Sequence, residues 1–170
     1  MKTQQTITLK IDNPDLRRAC DQVCDLVRKS GGRALLVGGC VRDSALEFSA
    51  KDLDIEVYGI KAATLEAILS RHFTINFVGQ AFGVMKIQGF PIDVALPRRE
   101  AKSGRGHRGF IVDSDPQMDP VDAALRRDFT INAIAIDPLT GEVVDPYGGL
   151  DDLARGVLRH VSTQFGEDPL

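Results

Sequence analysis

The fold follows from two stretches, ALLVGGCVRD at residues 34–43 and KDLDIEVY at residues 51–58. The first begins with four apolar residues, which predict a buried strand, and its Gly38-Gly39 pair turns the chain into a helix. The second predicts another strand over residues 53–58, entered by an acidic pair. A strand, a glycine turn, a helix and a second strand in this order predict an α/β (α+β) domain.

A helix is predicted ahead of this unit. Asn13-Pro14 is a start signal, a capping residue followed by proline at the first helical position. Apolar residues recur at helical spacing over residues 16–27, and a Ser-Gly-Gly sequence at 30–32 ends the helix. Cys20 and Cys24 lie one turn apart on this stripe, and we interpret them as buried small hydrophobic residues rather than a reactive pair.

Further elements follow along the chain. The patterns predict helices over 61–72 and 119–127, short strands over 73–77, 84–87, 92–96 and 110–112, an apolar segment at 133–136 and a turn at 145–149 before a short helix. Glycine and proline separate these segments, and the chain contains no internal repeat. The pattern favours one compact domain.

Composition excludes several classes of protein. The 170 residues are 43% hydrophobic with net charge −3, which favours an ordered domain and argues against a generic DNA-coating protein. Apolar runs are too short for a membrane span, and the polar N-terminus shows no signal peptide. The three cysteines lack CxxC spacing, so neither a disulfide framework nor a zinc site is indicated. We expect a cytoplasmic protein with no membrane or DNA partner.

The glycine turn is a candidate phosphate site. Gly38 and Gly39 allow a ligand to approach the backbone, and free N–H groups at a helix start favour an anion. Arg42 lies in the first turn of that helix, where its guanidinium can contact phosphate with two hydrogen bonds. The alternative is a tight strand-to-helix connection in which Arg42 pairs with Asp43.

Three acidic residues are candidate Mg²⁺ ligands. Asp52 and Asp54 are two residues apart, so in a strand both carboxylates point to one face. Hard oxygen ligands on one face suit Mg²⁺, which retains waters and substrate phosphates. Asp93, between two β-branched residues, can complete a two-metal cluster from a neighbouring strand. The alternatives are an exposed acidic strand end for the pair and an edge-strand surface position for Asp93.

The segment RRDFTIN at residues 126–132 is a second candidate nucleotide contact. Arg126 or Arg127 can neutralise a triphosphate, and Asp128 or Asn132 can hydrogen-bond a ribose hydroxyl. The alternative is a helix terminus with a cationic end and an Asx cap.

A basic stretch follows the predicted strand at 92–96. Lys102, Arg105 and Arg108 lie within residues 98–108, where Glu100 is the only acid, and they can contact an RNA phosphate backbone. A solvated basic loop is the alternative. Residues 104–109 match the GxGxxG pattern, but no strand precedes and no helix follows them, so they do not predict a dinucleotide site.

These signals together indicate nucleotidyl transfer. Phosphate-binding glycines, a carboxylate pair and downstream arginines are the parts that such a reaction requires. A two-metal site would lower the pKa of a ribose 3′-hydroxyl and stabilise the leaving pyrophosphate, while the arginines position the triphosphate.

The motifs resemble those of the bacterial class II tRNA nucleotidyltransferases, the CCA-adding enzymes, whose superfamily includes the bacterial poly(A) polymerases. The resemblance covers roughly residues 34–170 and lies in LVGGCVRD at 36–43, KDLD at 51–54, KSG at 102–104 with GF at 109–110, RRDFTINA at 126–133, DPYGGLDDL at 145–153, LRHVS at 158–162 and FGEDPL at 165–170. Cys40 stands where a small residue is usual.

The resemblance implies a polymerase-beta-like nucleotidyltransferase head, a small mixed or antiparallel sheet flanked by helices. The head would span residues 34–160, after a lead-in of residues 1–33 and before the start of a helical neck at 161–170. Gly39 and Arg42 would contact the nucleotide, Asp52 and Asp54 would hold Mg²⁺, and Arg127 would contact the triphosphate. The implied activity is template-independent addition of C, C and A to tRNA 3′ ends from CTP and ATP.

The end of the chain departs from the family pattern. Glu167 and Asp168 match the start of the nucleotide-selecting motif, but the arginine that follows in the family, and the neck and body that grip tRNA, are absent. We therefore expect a truncated catalytic head with incomplete base selection. The alternatives are a poly(A) polymerase, an enzyme that adds only A to tRNA, and a nucleotide- or RNA-binding module without catalysis.

Overall fold

The computed structural model describes residues 7–78, 83–102 and 110–162. The elements are α1 (Pro14–Lys29), β1 (Arg33–Val37), α2 (Gly39–Ala45), β2 (Leu53–Tyr58), α3 (Ala62–Leu69), β3 (Ile75–Val78), β4 (Val84–Ile87), β5 (Ile92–Ala95), β6 (Arg98–Lys102), β7 (Phe110–Ser114), α4 (Pro120–Ala124), a 3₁₀ turn (Thr130–Asn132), β8 (Ala135–Ile136), β9 (Val143–Val144) and α5 (Gly149–Ala154).

Within the described ranges the strands form a seven-stranded sheet in the order β3-β4-β5-β2-β1-β8-β9 and a separate β6-β7 ribbon. In the large sheet β2 and β5 are parallel, whereas the other neighbours are antiparallel. The end of β1 and the starts of β2 and β5 therefore lie at the same edge. The mixed α/β architecture confirms the predicted fold class.

The N-terminal helix forms as its sequence predicts. The Asn13 side chain accepts hydrogen bonds from the backbone N–H groups of Asp15 and Leu16, and Pro14 occupies the first helical position. Cys20 and Cys24 are fully buried with the apolar face of α1, as predicted. Each large apolar side chain buried in this core contributes roughly 1.5–3 kcal/mol relative to an exposed one.

Several predicted boundaries are wrong. The helix expected over 119–127 is limited to α4, because its last residues turn away so that Arg126 and Arg127 reach Glu56 on the sheet. No strand was predicted at the start of the basic stretch, where a solvated loop was the alternative; its first residues form β6, because their backbone pairs with β7. The helix expected over 61–72 is limited to α3, and the strand expected over 73–77 begins later, at Ile75, where pairing with β4 begins.

No helix in the described ranges is both long enough and apolar enough to span a bilayer. The expected start of a neck lies largely outside the described residues, which end at 162.

Candidate active site

The turn between β1 and α2 forms one wall of the site. Gly38 has φ +75° and ψ −139°, a conformation that side-chain-bearing residues rarely adopt. A Cβ atom at Gly38 would lie 3.7 Å from both Arg127 Nη1 and Asp54 Oδ2. The absence of a side chain here leaves the backbone open beside one cation and one carboxylate.

The residue after this turn departs from the family pattern without disturbing the packing. Cys40 is buried, and its thiol donates a hydrogen bond to the Val37 carbonyl at 3.2 Å. Burial raises the pKa of Cys40 to about 12. The thiol therefore behaves as a small neutral core residue behind the turn.

The three predicted metal-ligand carboxylates lie at this edge of the sheet. Asp54 on β2 is in register with Asp93 on the parallel strand β5, and Asp52 precedes Asp54 by two residues. The Asp54 side chain is partly exposed to solvent, but the surrounding protein excludes water from part of its carboxylate. This burial raises the pKa of Asp54, Arg127 opposes the rise, and the charges of Asp93 and Asp52 add to it.

A lysine lies against the acidic residue on β5. Lys86 Nζ donates to both carboxylate oxygens of Asp93, at 2.9 and 2.7 Å. This contact raises the pKa of Lys86. Sequence reasoning did not single out Lys86, because its facing position depends on the β4–β5 register.

The donor set fits a hard divalent cation at Asp52 and Asp54. Both residues supply carboxylate oxygens, and a bound cation would oppose the rise in the pKa of Asp54 that burial, and then the charges of Asp93 and Asp52, cause. In the part of the chain that the structure describes, no three His, Cys, Asp or Glu side chains converge closely enough to hold a metal. Substrate phosphates and waters would therefore have to supply several of the ligands.

The two predicted triphosphate arginines converge on a buried carboxylate. Arg126 Nη2 donates to Glu56 Oε1 at 3.1 Å, and Arg127 Nη2 lies 3.7 Å from Glu56 Oε2. The hydroxyl of Tyr58 donates to Oε2 at 3.0 Å. Burial raises the pKa of Tyr58, and the negative charge of Glu56 adds to the rise.

Sequence reasoning missed Glu56 as a functional candidate. Its signal was an acidic residue within an apolar strand, two positions after Asp54 and therefore on the same face. A buried acid in such a position needs a cationic partner, and the adjacent arginines at 126 and 127 are that partner.

The remaining predicted nucleotide contacts lie next to α2. Arg42 donates to Asp43 at 2.8 and 3.0 Å, the pairing considered as its alternative role, and also to Asn132 Oδ1 at 2.9 Å. Asn132 Nδ2 donates in turn to Asp128 Oδ1 at 3.0 Å. Arg42 thus forms one hydrogen-bonded series with Asn132, 90 residues further along the sequence, and its near neighbour Asp128.

The segment DPYGGLDDL at residues 145–153 contacts the 3₁₀ turn that contains Asn132. Asp145 accepts hydrogen bonds from the backbone N–H groups of Gly149 and Leu150 and so caps α5. Asp152 is buried and accepts from Thr130 Oγ1 at 2.7 Å and from Arg159 Nε and Nη2, both at 3.0 Å. These contacts fix the 3₁₀ turn that ends at Asn132.

Some predicted site residues cannot be placed. Arg105, Arg108, Glu167 and Asp168 lie outside the described residues. Lys102 ends β6, where its backbone is in register with Phe110. The RNA contacts and base-selecting residues therefore stay predictions.

Comparison with known proteins gives one consistent group. Residues 34–159 match the family described as the poly A polymerase head domain. The Multifunctional CCA protein of Xanthomonas campestris pv. campestris (strain B100) is 49% identical over 135 residues, which cover 79% of this chain and 32% of the relative. That of Stenotrophomonas maltophilia (strain K279a) is 50% identical with the same coverage. The chain thus spans about a third of the length of these relatives.

Solved structures agree with the sequence matches. The Thermotoga maritima CCA-adding enzyme complexed with tRNA(CCA) has a TM-score of 0.72 at 26% identity, covering 97% of this chain and 39% of that one. The Bacillus stearothermophilus CCA-adding enzyme in complex with CTP has a TM-score of 0.69 at 26% identity, covering 92% and 36%.

Proposed function

This chain belongs to the poly A polymerase head-domain family, and on that basis we propose that it is a nucleotidyltransferase head that adds C, C and A to tRNA 3′ ends from CTP and ATP without a template. The observation that carries the proposal is the convergence of Asp54 and Arg127 on the Gly38 turn, each 3.7 Å from the place a Cβ would occupy. A triphosphate at this turn would contact a cation on one side and a metal-binding carboxylate on the other.

In this proposal the arginines orient the triphosphate. Arg127 and Arg42 lie beside the Gly38-Gly39 turn, where guanidinium groups can bind phosphate oxygens in pairs. The helix α2 has only seven residues, so the arginines rather than its N-terminus supply most of the positive charge. Arg126, which shares Glu56 with Arg127, adds to this cationic wall.

The carboxylates have the complementary role. Asp52 and Asp54 would hold Mg²⁺, and Asp93 would complete a two-metal site once Lys86 releases it. When bound, the metal activates the ribose 3′-hydroxyl and neutralises charge on pyrophosphate. Asp54 lies close to the turn where the triphosphate would bind, so the attacking hydroxyl and the reacting phosphate would be held together.

The ribose and the RNA are assigned to neighbouring residues. Asp128 and Asn132 lie beside Arg42, where a ribose hydroxyl can replace the present hydrogen bond between Asn132 and Arg42. We assign RNA backbone contacts to Lys102, Arg105 and Arg108, and a part of base selection to Glu167 and Asp168. The solved tRNA complex of the Thermotoga maritima enzyme supports tRNA as the partner.

A poly(A) polymerase is the second candidate, and the family description favours it. Both activities use the same head chemistry, so the product must distinguish them. The curated relatives named as CCA proteins support the tRNA activity.

The test uses tRNA transcripts that end before CCA, after C and after CC. Each is incubated with the chain, Mg²⁺ and either CTP or ATP, and product lengths are determined on a gel. Ordered addition of two C and one A supports the proposal, and addition of A alone after CC indicates an A-adding enzyme. Long A tails on any RNA indicate a poly(A) polymerase.

An Asp54→Asn variant is the matched control, because it removes one proposed metal ligand and keeps the side-chain shape. If the wild-type chain binds triphosphates without Mg²⁺ and incorporates neither nucleotide, the non-catalytic binding module replaces the proposal.

A further inference from the structure

Glu56 is a buried acid without a role in the proposed chemistry. It is 3% exposed, yet it lies on β2 only two residues after Asp54. A carboxylate removed from water is retained at reasonable cost only when it is hydrogen-bonded and paired with cations. The partners of Glu56 are two arginines and one tyrosine hydroxyl.

The guanidinium of Arg127 lies between Glu56 and the Gly38 turn. Its Nη2 lies 3.7 Å from Glu56 Oε2, whereas its Nη1 lies 3.7 Å from the place that a Cβ of Gly38 would occupy. One edge of the guanidinium therefore faces the buried acid, and the other faces the proposed phosphate turn. Because the guanidinium is planar, holding one edge orients the other.

The charge balance leaves cationic character for a ligand. Glu56 supplies one negative charge against the two positive charges of Arg126 and Arg127. The pair of arginines thus keeps a net positive charge after Glu56 has oriented it. Because β2 bears both Asp54 and Glu56, one proposed metal ligand and the carboxylate that pairs with the arginines belong to the same strand.

We propose that Glu56 is a positioning residue that sets the orientation of Arg127, and with it Arg126, toward a nucleoside triphosphate. The proposal rests on the proposed function, because it requires Arg127 to contact the triphosphate. Glu56 itself touches no substrate. Loss of Glu56 therefore lowers triphosphate affinity only through its effect on the two arginines.

The test measures the affinity of CTP and ATP for the chain by calorimetry, with the free energy of unfolding measured in parallel. Glu56→Gln keeps the shape and one acceptor but removes the charge. We expect triphosphate affinity to fall about ten-fold, which is the lower end of the loss seen when a side chain that orients a metal ligand is removed. A folded Glu56→Gln variant with wild-type affinity overturns the proposal.

A double-mutant cycle identifies the route of the effect. Arg127→Gln alone should weaken triphosphate binding, and Glu56→Gln should then cause at most about a two-fold further change, because the two residues act as a unit. An undiminished ten-fold effect in that background contradicts the proposal. If Arg127→Gln leaves affinity unchanged, the proposed function fails at the triphosphate contact instead.

Asp137→Asn is the matched control. Asp137 is also buried, at 8% exposure, and its partner Arg33 lies at the opposite end of β1 from Gly38. The control should lower stability and leave triphosphate affinity unchanged; an equal loss of affinity means that Glu56 acts through general stability, which overturns the proposal.

A milder variant covers the case in which Glu56→Gln does not fold. Tyr58→Phe removes only the hydroxyl that donates to Glu56 Oε2. We expect a two- to three-fold loss of triphosphate affinity, roughly the worth of one hydrogen bond, and an unchanged affinity overturns the proposal.

Discussion

The carboxylates of Glu56 and Asp152 have similar partners but lie in different parts of the molecule. Each is 3% exposed, and each accepts a hydrogen bond from one hydroxyl and from at least one arginine. The arginines at Glu56 are half-buried, and Arg127 also lies beside the Gly38 turn, whereas the Arg159 side chain at Asp152 is 59% exposed. Glu56 therefore pairs with cations at the candidate site, whereas Asp152 connects α5, the 3₁₀ turn and Arg159 outside it.

The difference shows that the role of a buried carboxylate depends on what else its arginine partner faces. The Glu56 region joins β2 to the arginine segment across 70 residues of sequence. The Asp152 region joins α5 to the 3₁₀ turn and to the end of the described chain. Changes near Glu56 should alter function first, and changes near Asp152 should alter stability first.

The largest effect is expected for Asp54→Asn on the Glu56 side. Nucleotide incorporation should fall by about 10³-fold or more, because a proposed metal ligand is lost. Stability should hold or rise, since the raised pKa of Asp54 means that its ionised form is unfavourable in the fold. Gel assays and urea unfolding measure the two quantities. A large loss of stability would remove the contrast between the two regions.

The next effect is expected for Gly149→Ala on the Asp152 side. A Cβ at Gly149 would clash with the Thr130 carbonyl oxygen, so the backbone of α5 or the 3₁₀ turn has to move. We expect a loss of about 3 kcal/mol in the free energy of unfolding.

Gly156→Ala is its control, because a Cβ there meets nothing within 4 Å and only the positive φ of +65° is penalised. That change should cost about 1 kcal/mol. Equal losses at the two glycines contradict the close packing of α5 on the turn.

A smaller, pH-dependent effect is expected for Asp152→Asn. Hydrogen bonds from Thr130, and then from Arg159, lower the pKa of Asp152 below its ordinary value of 3.8. The ionised carboxylate therefore stabilises the fold above that ordinary value, and this contribution is lost as pH falls through the lowered pKa. Urea unfolding should show that the variant is less stable than the wild type at pH 6. The difference in their free energies of unfolding should shrink below pH 4. A gap independent of pH means that packing, rather than charge, holds this region.

The smallest effect is expected for Lys86→Met. The lysine is exposed and pairs with Asp93, so its removal should barely change the melting temperature. Mg²⁺ binding, measured by calorimetry without nucleotide, should tighten by about two- to three-fold, because a competing cation leaves the carboxylates. Weaker Mg²⁺ binding would indicate that Lys86 orders Asp93 for the metal.

Much of the local structure was predictable because its signals are close in sequence. Asn13 and Pro14 predict the start of α1, and the apolar run before Gly38 predicts β1. The spacing of Asp52 and Asp54 predicts carboxylates on one face of β2. In contrast, the end of α4 was predicted too late, because the arginines that follow it pair with a residue 70 positions away.

Local sequence patterns are enough to predict the strand, glycine turn and helix around Gly38 and the acidic strand, since each depends on residues a few positions apart. The series of motifs between residues 36 and 170 is enough to predict the family. Only the folded arrangement shows that Asp93 lies beside Asp54, that Lys86 pairs with Asp93 and that Glu56 pairs with both arginines. These relations depend on strand order and register, which are set by the packing of whole elements and not by any local pattern.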